Sequence, residues 1–261
     1  MPRLVVISNR VAIPDENGPA PGGLAVAVEA AMRHREGIWF GWSGEKAEEP
    51  GPPTVVQRDN LQYILTDLHP QDFDEYYNGF ANRVLWPILH YRVDLAEFNE
   101  AEFGGYQRVN EFFAERLSPL LEEDDVLWVH DYHLIPLASA LRQRGHGNRI
   151  GFFLHIPMPP ADLITALPHH DELIRALTQY NLIGFQTEND ASNFARYLTR
   201  VVGAATPDGR RYHLEDQQFR VGVFPVGVDA AGFRRLAEEA AQRQAAQDLR
   251  ESLGGRALMV G

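Results

Sequence analysis

Two apolar, strand-sized stretches near the middle of the chain each end in polar residues that could bind a ligand. The first, DVLWV, is followed by the tetrapeptide HDYH at residues 130–133, and the second, IGFFL, is followed by His155. In an open α/β sheet, ligands bind beyond the carboxyl ends of the strands. The two stretches therefore predict a binding site at this end of a sheet.

The histidines of these stretches could suggest a metal centre, but their neighbours favour hydrogen bonding. Metal sites usually combine histidine with cysteine or with several converging carboxylates. The chain has no cysteine, and Asp131 is the one acid beside His130 and His133 in HDYHLIPL. We therefore expect Asp131 to accept hydrogen bonds from ligand hydroxyls, and His155 to donate one or to orient a backbone group. For any single histidine, a structural role is the alternative.

A second candidate lies at the amino terminus, where SNRVAIP is followed by PGGLAVAVEAA. A first strand, an irregular loop and a glycine pair before a helix place backbone N–H groups and the helix dipole where they can meet a phosphate. Arg10, at the end of the strand, points to where that phosphate would lie. The spacing is not GxGxxG, so the dinucleotide fingerprint is absent. A plain turn at Gly22 and Gly23 is the competing interpretation.

Two aromatic segments are typical either of a sugar pocket or of a core. Trp42, among the glycines of WFGWSGE, favours packing under a loop, and a flat surface for a sugar ring is the alternative. The segment DEYYNGFANRVLWPILHY interleaves rings with amide and guanidinium donors, as carbohydrate or sugar-phosphate pockets do. Its candidates are Tyr76, Tyr77, Asn82, Arg83, Trp86 and His90. Because Tyr76 and Tyr77 are adjacent, we expect at most one of them to contact a ligand.

Hydrophobic periodicity predicts the scaffold that must position these residues. Strand-like runs cover residues 4–8, 37–42, 62–66, 126–129, 150–154, 182–185 and 219–223. Helical patterns cover residues 24–34, 106–121, 134–144, 171–180 and 188–201. Regular alternation of strand and helix predicts an α/β fold with a mostly parallel sheet covered on both faces. Residues 206–219 break the alternation and favour a hairpin arm at the sheet edge.

Composition limits the class of protein. The 261 residues are 44% hydrophobic and 23% charged, as expected of a globular protein. A net charge of -12 argues against nucleic acid or an anionic membrane as the main partner. The lack of cysteine excludes disulfides, thiolate zinc sites and a cysteine nucleophile. No apolar run approaches the roughly 20 residues that cross a bilayer, and the start does not resemble a signal peptide, so the cytoplasm is the expected compartment.

A change of composition after FPVGVD predicts a domain boundary. Residues 1–229 are expected to form one domain, and residues 230–261 a linker helix and the first strand, at 257–260, of a second one. Because an isolated strand lacks a pairing partner, we expect this sequence to be the amino-terminal part of a longer protein.

Eight motifs, in order along the chain, resemble the amino-terminal half of the trehalose-6-phosphate synthase family. The members of this family are retaining glycosyltransferases of the GT-B type. The motifs are SNRVAIP, GGLAVAVEAA, WFGWSGE, NGFANRVLWPILHY, VLWVHDYHLIPL, FFLHIPMPP, GFQTENDASNF and FPVGVD. The resemblance implies two facing, Rossmann-like, doubly wound domains, of which residues 1–229 would be the acceptor-binding domain. It also implies transfer of glucose from UDP-glucose to glucose 6-phosphate to make trehalose 6-phosphate, without a metal or another cofactor.

The resemblance assigns acceptor roles to four residues. Arg10 and Tyr77 would bind the phosphate of glucose 6-phosphate, and Trp86 and Asp131 would bind its ring and hydroxyls. The physical interpretation agrees, because an acidic protein needs local cations and N–H donors to hold an anionic sugar phosphate.

On the donor side, the resemblance places Gly22 and Gly23 against the diphosphate, Trp42 beside it and His155 at the transferred glucose. His155 and Asp131 are therefore the expected catalytic residues. The expected partners are glucose 6-phosphate and UDP-glucose or another nucleotide-glucose, with no nucleic acid and no membrane. Assembly into a homo-oligomer is compatible with the sequence.

The family's remaining donor-binding residues would lie beyond Gly261, so we expect the chain alone to have no measurable transferase activity. Two other functions are compatible with the motifs. A glucosylglycerol-phosphate synthase or related pseudo-glycosyltransferase would share most of them, and a non-catalytic sugar-phosphate-binding module would keep this domain alone. An NAD-dependent enzyme is the weakest alternative, because GxGxxG is missing.

Overall fold

A 9-stranded sheet forms the centre of the computed structural model, which describes residues 2–11, 13, 28, 31–32, 36–227 and 229–258. The strands are β1 Leu4–Arg10, β2 Gly37–Lys46, β3 Thr54–Arg58, β4 Leu61–Leu68, β5 Val126–His130, β6 Arg149–Phe153, β7 Leu182–Phe185, β8 Arg211–Leu214 and β9 Gln217–Val223. Their order is β3-β4-β2-β1-β5-β6-β7-β9-β8. The edge strands β3 and β8 pair antiparallel with β4 and β9, and the other neighbours pair in parallel. The predicted α/β fold is confirmed.

Helices connect the parallel strands. The α-helices are Pro70–Asp72, Trp86–Leu89, Glu100–Leu117, Leu137–Gln143, Ala161–Ile164, His170–Leu177, Glu188–Tyr197, Ala230–Ala241 and Gln244–Leu253. Wider, π-type turns form Phe73–Leu85 and Leu198–Val202, and short 3₁₀ turns form Val93–Leu95, Ser118–Leu120 and Tyr132–Leu134. The helix Glu100–Leu117 begins earlier than predicted because the Asn99 side chain accepts a hydrogen bond from the Ala101 N–H, at 2.9 Å.

Alternate residues of the strands pack on opposite faces of the sheet. In β1, Val5 and Ile7 belong to the large core, whereas Val6 belongs to a second cluster with Trp39. Val28 and Met32, within the predicted first helix, are buried in that second cluster. None of the helices in the described ranges is long and apolar enough to cross a membrane.

The strand order reverses between β1 and β5. From β1 the chain continues to β2 and β4 on one side of the sheet, and from β5 it continues to β6, β7 and β9 on the other. In an open α/β sheet, this reversal opens a crevice at the carboxyl ends of the two strands. The fold therefore predicts a ligand site beside Arg10 and Asp131.

The edge strand β3 was not predicted, since its residues are mostly exposed and carry no strong apolar pattern. At the other edge, β8 and β9 form the expected hairpin. Residues 257 and 258 lie outside any strand, and residues 259–260, which complete the strand predicted there, are outside the described residues.

The chain divides into two compact units, Met1–Pro225 and Val226–Gly261. The first unit contains the sheet, and the second contains the helices Ala230–Ala241 and Gln244–Leu253. On the second unit's helices, Phe233 and Leu236 are exposed.

Candidate functional site

Arg10 is held at the end of β1 by the neighbouring strand. Its guanidinium carbon lies 5.8 Å from the centroid of the Trp42 ring on β2, within the range of a cation–π contact. Gly44 has a φ of +97°, and a Cβ there would come within 2.7 Å of the Arg10 guanidinium. The backbone conformation therefore favours glycine at this position, and a larger residue would also displace the Arg10 guanidinium.

Trp42 is nearly buried, with 6% of its surface exposed, and its indole Nε1 donates to the Glu45 carbonyl oxygen at 2.6 Å. The indole thus packs under the end of β2, and it contacts the rings of Phe73 and Tyr77 at centroid distances of 5.2 and 5.9 Å. The Trp42 ring therefore contacts both Arg10 and Tyr77 and limits where their side chains can lie.

Tyr76 and Tyr77 have different surroundings, although they are adjacent in the segment Phe73–Leu85. Tyr76 is fully buried, and its hydroxyl donates to Asn9 Oδ1 at 2.8 Å. Tyr77 is half-buried and stacks on Phe73, with ring centroids 5.4 Å apart. Of the two, only Tyr77 is therefore available to a ligand near Arg10, and the expectation that at most one of them contacts a ligand stays a prediction.

Lys46, a residue that the sequence reasoning missed, adds a second cation to this cluster. Its ammonium nitrogen lies 4.7 Å from the centroid of the Phe73 ring, which also contacts Trp42. Within the ranges that the structure describes, no carboxylate pairs with Lys46 or Arg10. Two unpaired cations beside aromatic rings, in a protein with a net charge of -12, form a place that can hold an anion.

Asp131 directly follows β5 and has an unusual backbone conformation, with φ 74° and ψ 166°. Its Oδ1 accepts hydrogen bonds from the N–H of Tyr132, at 3.1 Å, and of His155, at 3.3 Å. Burial raises the pKa of Asp131 to about 6, although these two hydrogen bonds and the nearby His90 act in the opposite direction. Strained backbone and a raised carboxyl pKa are both common at functional sites.

His155 lies just beyond β6 and is linked to the end of β5. Its ring Nε2 is 2.9 Å from Nδ1 of His130, and the Asp131 N–H donates to the carbonyl of Phe153 at 2.8 Å. Burial lowers the pKa of His155 to about 4. His155 is therefore a neutral imidazole at pH 7, able to donate or accept a hydrogen bond but not a strong base.

Trp86 is exposed over 43% of its surface, and its indole stacks on the His90 ring with centroids 4.1 Å apart. A second contact holds the two residues together, since the His90 ring Nδ1 lies 2.7 Å from the backbone carbonyl oxygen of Trp86. An exposed indole that stacks on a neighbouring ring is a flat apolar surface on which a sugar ring can pack.

His133 connects the two neighbourhoods. Its ring is stacked on Tyr77, with centroids 5.7 Å apart, and packs on Tyr132 at 4.0 Å. Burial lowers the pKa of His133 to about 3. The sequence reasoning gave His133 the same weight as His130, but here it packs beneath Tyr77 rather than beside His155.

The structure thus groups the predicted site residues into two adjoining sets at the carboxyl ends of the strands. Arg10, Trp42 and Tyr77 form one set, and Asp131 and His155 form the other. Trp86 stacks on His90, and none of its described contacts reaches either set. Gly22 and Gly23 lie outside the described residues. Among the residues that are described, no group of three or more His, Cys, Asp and Glu side chains could hold a metal ion.

Comparison with known proteins places this geometry among glycosyltransferases. Residues 7–261 match the family model of glycosyltransferase family 20. A trehalose-6-phosphate synthase of Sinorhizobium fredii is 51% identical over 265 residues, which cover 100% of this chain and 57% of that protein. The chain spans about half the length of the curated relatives that it matches. The family resemblance predicted from the motifs is confirmed.

Solved structures of similar proteins support the same family assignment. The crystal structure of an alpha,alpha-trehalose-phosphate synthase (UDP-forming) from Burkholderia vietnamiensis superposes with a TM-score of 0.93 at 43% identity, covering 98% of this chain and 55% of that one. A Burkholderia xenovorans enzyme solved in complex with glucose-6-phosphate gives a TM-score of 0.91 at 42% identity, covering 97% of this chain and 56% of that one.

Proposed function

Because the chain belongs to glycosyltransferase family 20, we propose that it forms the acceptor-binding half of an enzyme that transfers glucose from UDP-glucose to glucose 6-phosphate. The product is trehalose 6-phosphate. In this proposal UDP-glucose is a substrate and the enzyme needs no cofactor. Its proposed compartment is the cytoplasm.

The observation that carries the proposal is the cluster of Arg10, Trp42 and Tyr77 at the switch point of the sheet. Arg10 ends β1 and Asp131 follows β5, and these strands are direct neighbours, with Ile7 opposite Val129. Adjacent parallel strands lie about 4.8 Å apart. A hexose phosphate can therefore place its phosphate at Arg10 and its hydroxyls at Asp131.

Each group has a distinct role toward the acceptor. The Arg10 guanidinium and the Tyr77 hydroxyl hold the phosphate by charge-assisted hydrogen bonds. Trp86 covers a face of the sugar ring, and the Asp131 carboxylate accepts hydrogen bonds from its hydroxyls. Such fixed contacts orient the acceptor hydroxyl for attack, which lowers the entropic part of the barrier.

On the donor side, His155 donates a hydrogen bond to the transferred glucose, and the family resemblance assigns Gly22, Gly23 and Trp42 to the donor diphosphate. His155 and Asp131 are the proposed catalytic residues, acting by positioning and by fixed dipoles that stabilise charge in the transition state. A neutral His155 suits this role, because the reaction needs no strong base there.

Ligand-dependent thermal unfolding of the chain tests the proposal, since a ligand that binds the folded state raises the midpoint. Glucose 6-phosphate should stabilise the chain at concentrations where glucose and inorganic phosphate have little effect. Stronger protection by glycerol 3-phosphate would favour a glucosylglycerol-phosphate synthase instead, and no protection by any sugar phosphate would refute the acceptor site.

Transfer itself needs a second assay. A fusion that continues this chain with the unmatched part of the Sinorhizobium fredii relative should release UDP from UDP-glucose only when glucose 6-phosphate is present. A chain that binds glucose 6-phosphate but supports no UDP release in the fusion would point to the non-catalytic binding module.

A further inference from the structure

His130 and His155 form a hydrogen-bonded pair at the ends of β5 and β6. The distance from His130 Nδ1 to His155 Nε2 is 2.9 Å. His130 is only 1% exposed and packs against Trp128, with ring centroids 4.4 Å apart. The backbone of His155 is held as well, because its N–H donates to Asp131 Oδ1 at 3.3 Å. The His155 ring is therefore fixed through one of its two nitrogens.

Both rings are neutral at pH 7, since burial lowers the pKa of His130 to about 3 and that of His155 to about 4. A neutral imidazole carries one N–H and one lone pair. The pair therefore has two arrangements: His130 Nδ1–H donates to His155 Nε2, or His155 Nε2–H donates to His130 Nδ1. In the first arrangement His155 keeps its proton on Nδ1, and in the second Nδ1 is an acceptor.

The other nitrogen of His130 decides between the two arrangements. His130 Nε2 is buried and has no hydrogen-bond partner in the part of the chain that the structure describes. If His155 were the donor, His130 would carry its own proton on this buried Nε2, and that N–H would be unpaired. The first arrangement leaves only a lone pair unpaired there. Buried N–H groups without a partner are rarer than unpaired acceptors, so His130 is the donor.

We propose that His130 is a positioning residue that holds His155 in the tautomer with its proton on Nδ1, so that His155 presents an N–H donor to a sugar hydroxyl. His155 Nδ1 has no hydrogen-bond partner among the described residues, which leaves it available to a ligand. The hydroxyl as partner rests on the proposed function, whereas the tautomer rests on the geometry alone. In the other tautomer, the Nδ1 lone pair would instead accept a hydrogen bond from the hydroxyl.

Nitrogen-15 NMR of the ligand-free chain at pH 7 measures the tautomer directly. We expect protonated Nδ1 and unprotonated Nε2 signals for both His130 and His155. A proton on Nε2 of His155 in the wild-type chain overturns the proposal.

Two substitutions of similar size test whether His130 is the cause. His130→Asn keeps an amide N–H near the position of Nδ1 and should preserve the His155 tautomer, whereas His130→Leu removes the donor and should shift His155 towards Nε2–H. An unchanged His155 tautomer in His130→Leu contradicts the positioning role. If His130→Leu does not fold, the wild-type spectrum and His130→Asn still test the positioning role. Loss of the Nδ1–H tautomer of His155 in His130→Asn also contradicts that role.

Titration of the same sample with glucose 6-phosphate separates this inference from the proposed function. A chain that binds glucose 6-phosphate but has Nε2–H at His155 overturns the inference alone. A chain with the expected tautomer that binds no sugar phosphate overturns the proposed function, and with it the sugar hydroxyl as the partner of His155.

Discussion

The guanidinium carbon of Arg10 lies 5.8 Å from the centroid of the Trp42 ring, where Arg10, the last residue of β1, is paired with Trp42 of β2. Arg10 is exposed, yet this contact limits the positions of its long side chain. An arginine that is held in place loses less conformational entropy when it binds an anion. In the proposed function, this contact prepares Arg10 to bind the phosphate of the acceptor.

Arg10→Ala should weaken the binding of glucose 6-phosphate by about 10- to 100-fold, because a hydrogen bond to a charged group contributes about 1.5–3 kcal/mol. Arg10→Lys should recover only part of the affinity, since an ammonium cannot reproduce the planar fork. Isothermal titration calorimetry measures both. Arg211→Ala, at the far edge strand β8 where Arg211 pairs with Asp208, is the control and should bind as wild type does. Equal losses in Arg10→Ala and Arg211→Ala would show a general charge effect rather than a site.

The adjacent tyrosines should separate stability from binding. Tyr76→Phe removes the hydroxyl that donates to Asn9 Oδ1 at 2.8 Å, and should lower the free energy of unfolding by about 1–2 kcal/mol in urea titrations. Tyr77→Phe loses a hydroxyl without a hydrogen-bond partner among the described residues, so its stability should stay within about 0.5 kcal/mol of wild type. Its affinity for glucose 6-phosphate should instead fall roughly tenfold. The reverse pattern would remove Tyr77 from the site.

Trp86→Ala should reduce affinity for glucose 6-phosphate by up to about tenfold, through the loss of a stacking surface worth about 0.5–1.5 kcal/mol. Because Trp86 is 43% exposed, its removal should change the free energy of unfolding by less than about 1 kcal/mol. Trp86→Phe keeps a ring and should lose less affinity. Val55→Ala, an exposed apolar residue on the edge strand β3, is the matched control. Full affinity in Trp86→Ala would exclude the indole from the acceptor site.

The stability of the chain should depend on pH through Asp131. Its folded-state pKa of about 6 exceeds the ordinary value of about 3.9 expected in the unfolded chain. The folded state therefore binds this proton more tightly, so its stabilising effect is complete below about pH 4 and disappears as the pH rises through 6. Between low and neutral pH, this effect changes the free energy of unfolding by about 1–3 kcal/mol. The partial exposure of the side chain reduces the change.

Asp131→Asn keeps the oxygen that accepts from Tyr132 and His155 but removes the ionisation. Relative to wild type, this variant should gain stability between pH 4 and pH 7, as measured by urea unfolding at each pH. Asp124→Asn, on the exposed turn before β5, should follow the wild-type curve throughout. A constant difference between Asp131→Asn and wild type across this range would mean that Asp131 does not titrate as described.

The parallel core of the sheet could be predicted from sequence because buried strands are continuous apolar runs. The runs of β1, β2, β4, β5, β6 and β7 are mainly apolar, and that of β9 alternates around the exposed Arg220. By contrast, β3 is exposed at all positions but Val56 and depends on pairing with β4. The helix that follows Asn99 was predicted too short, since its first turn is polar and is stabilised by the cap rather than by burial.

Local pattern indicated the candidate site, because polar residues at the ends of apolar strands have few structural reasons to be there. The sequence did not separate His130 from His133, although both follow the same strand. His130 turns to His155, and His133 lies beneath Tyr77. The division depends on which neighbour each side chain meets, and those neighbours are distant in sequence.

The amino-acid sequence by itself determined the α/β class, the family and the residue types at the site, because these follow from local periodicity and from motif order. Only the tertiary structure decided that Arg10 rests against Trp42, that Tyr76 is buried while Tyr77 is not, and that His130 pairs with His155. Such contacts join residues far apart in the chain, and strand order and packing set them. Burial then sets the charge state of each group, since a carboxyl or an imidazole changes its pKa with its surroundings rather than with its neighbours in sequence.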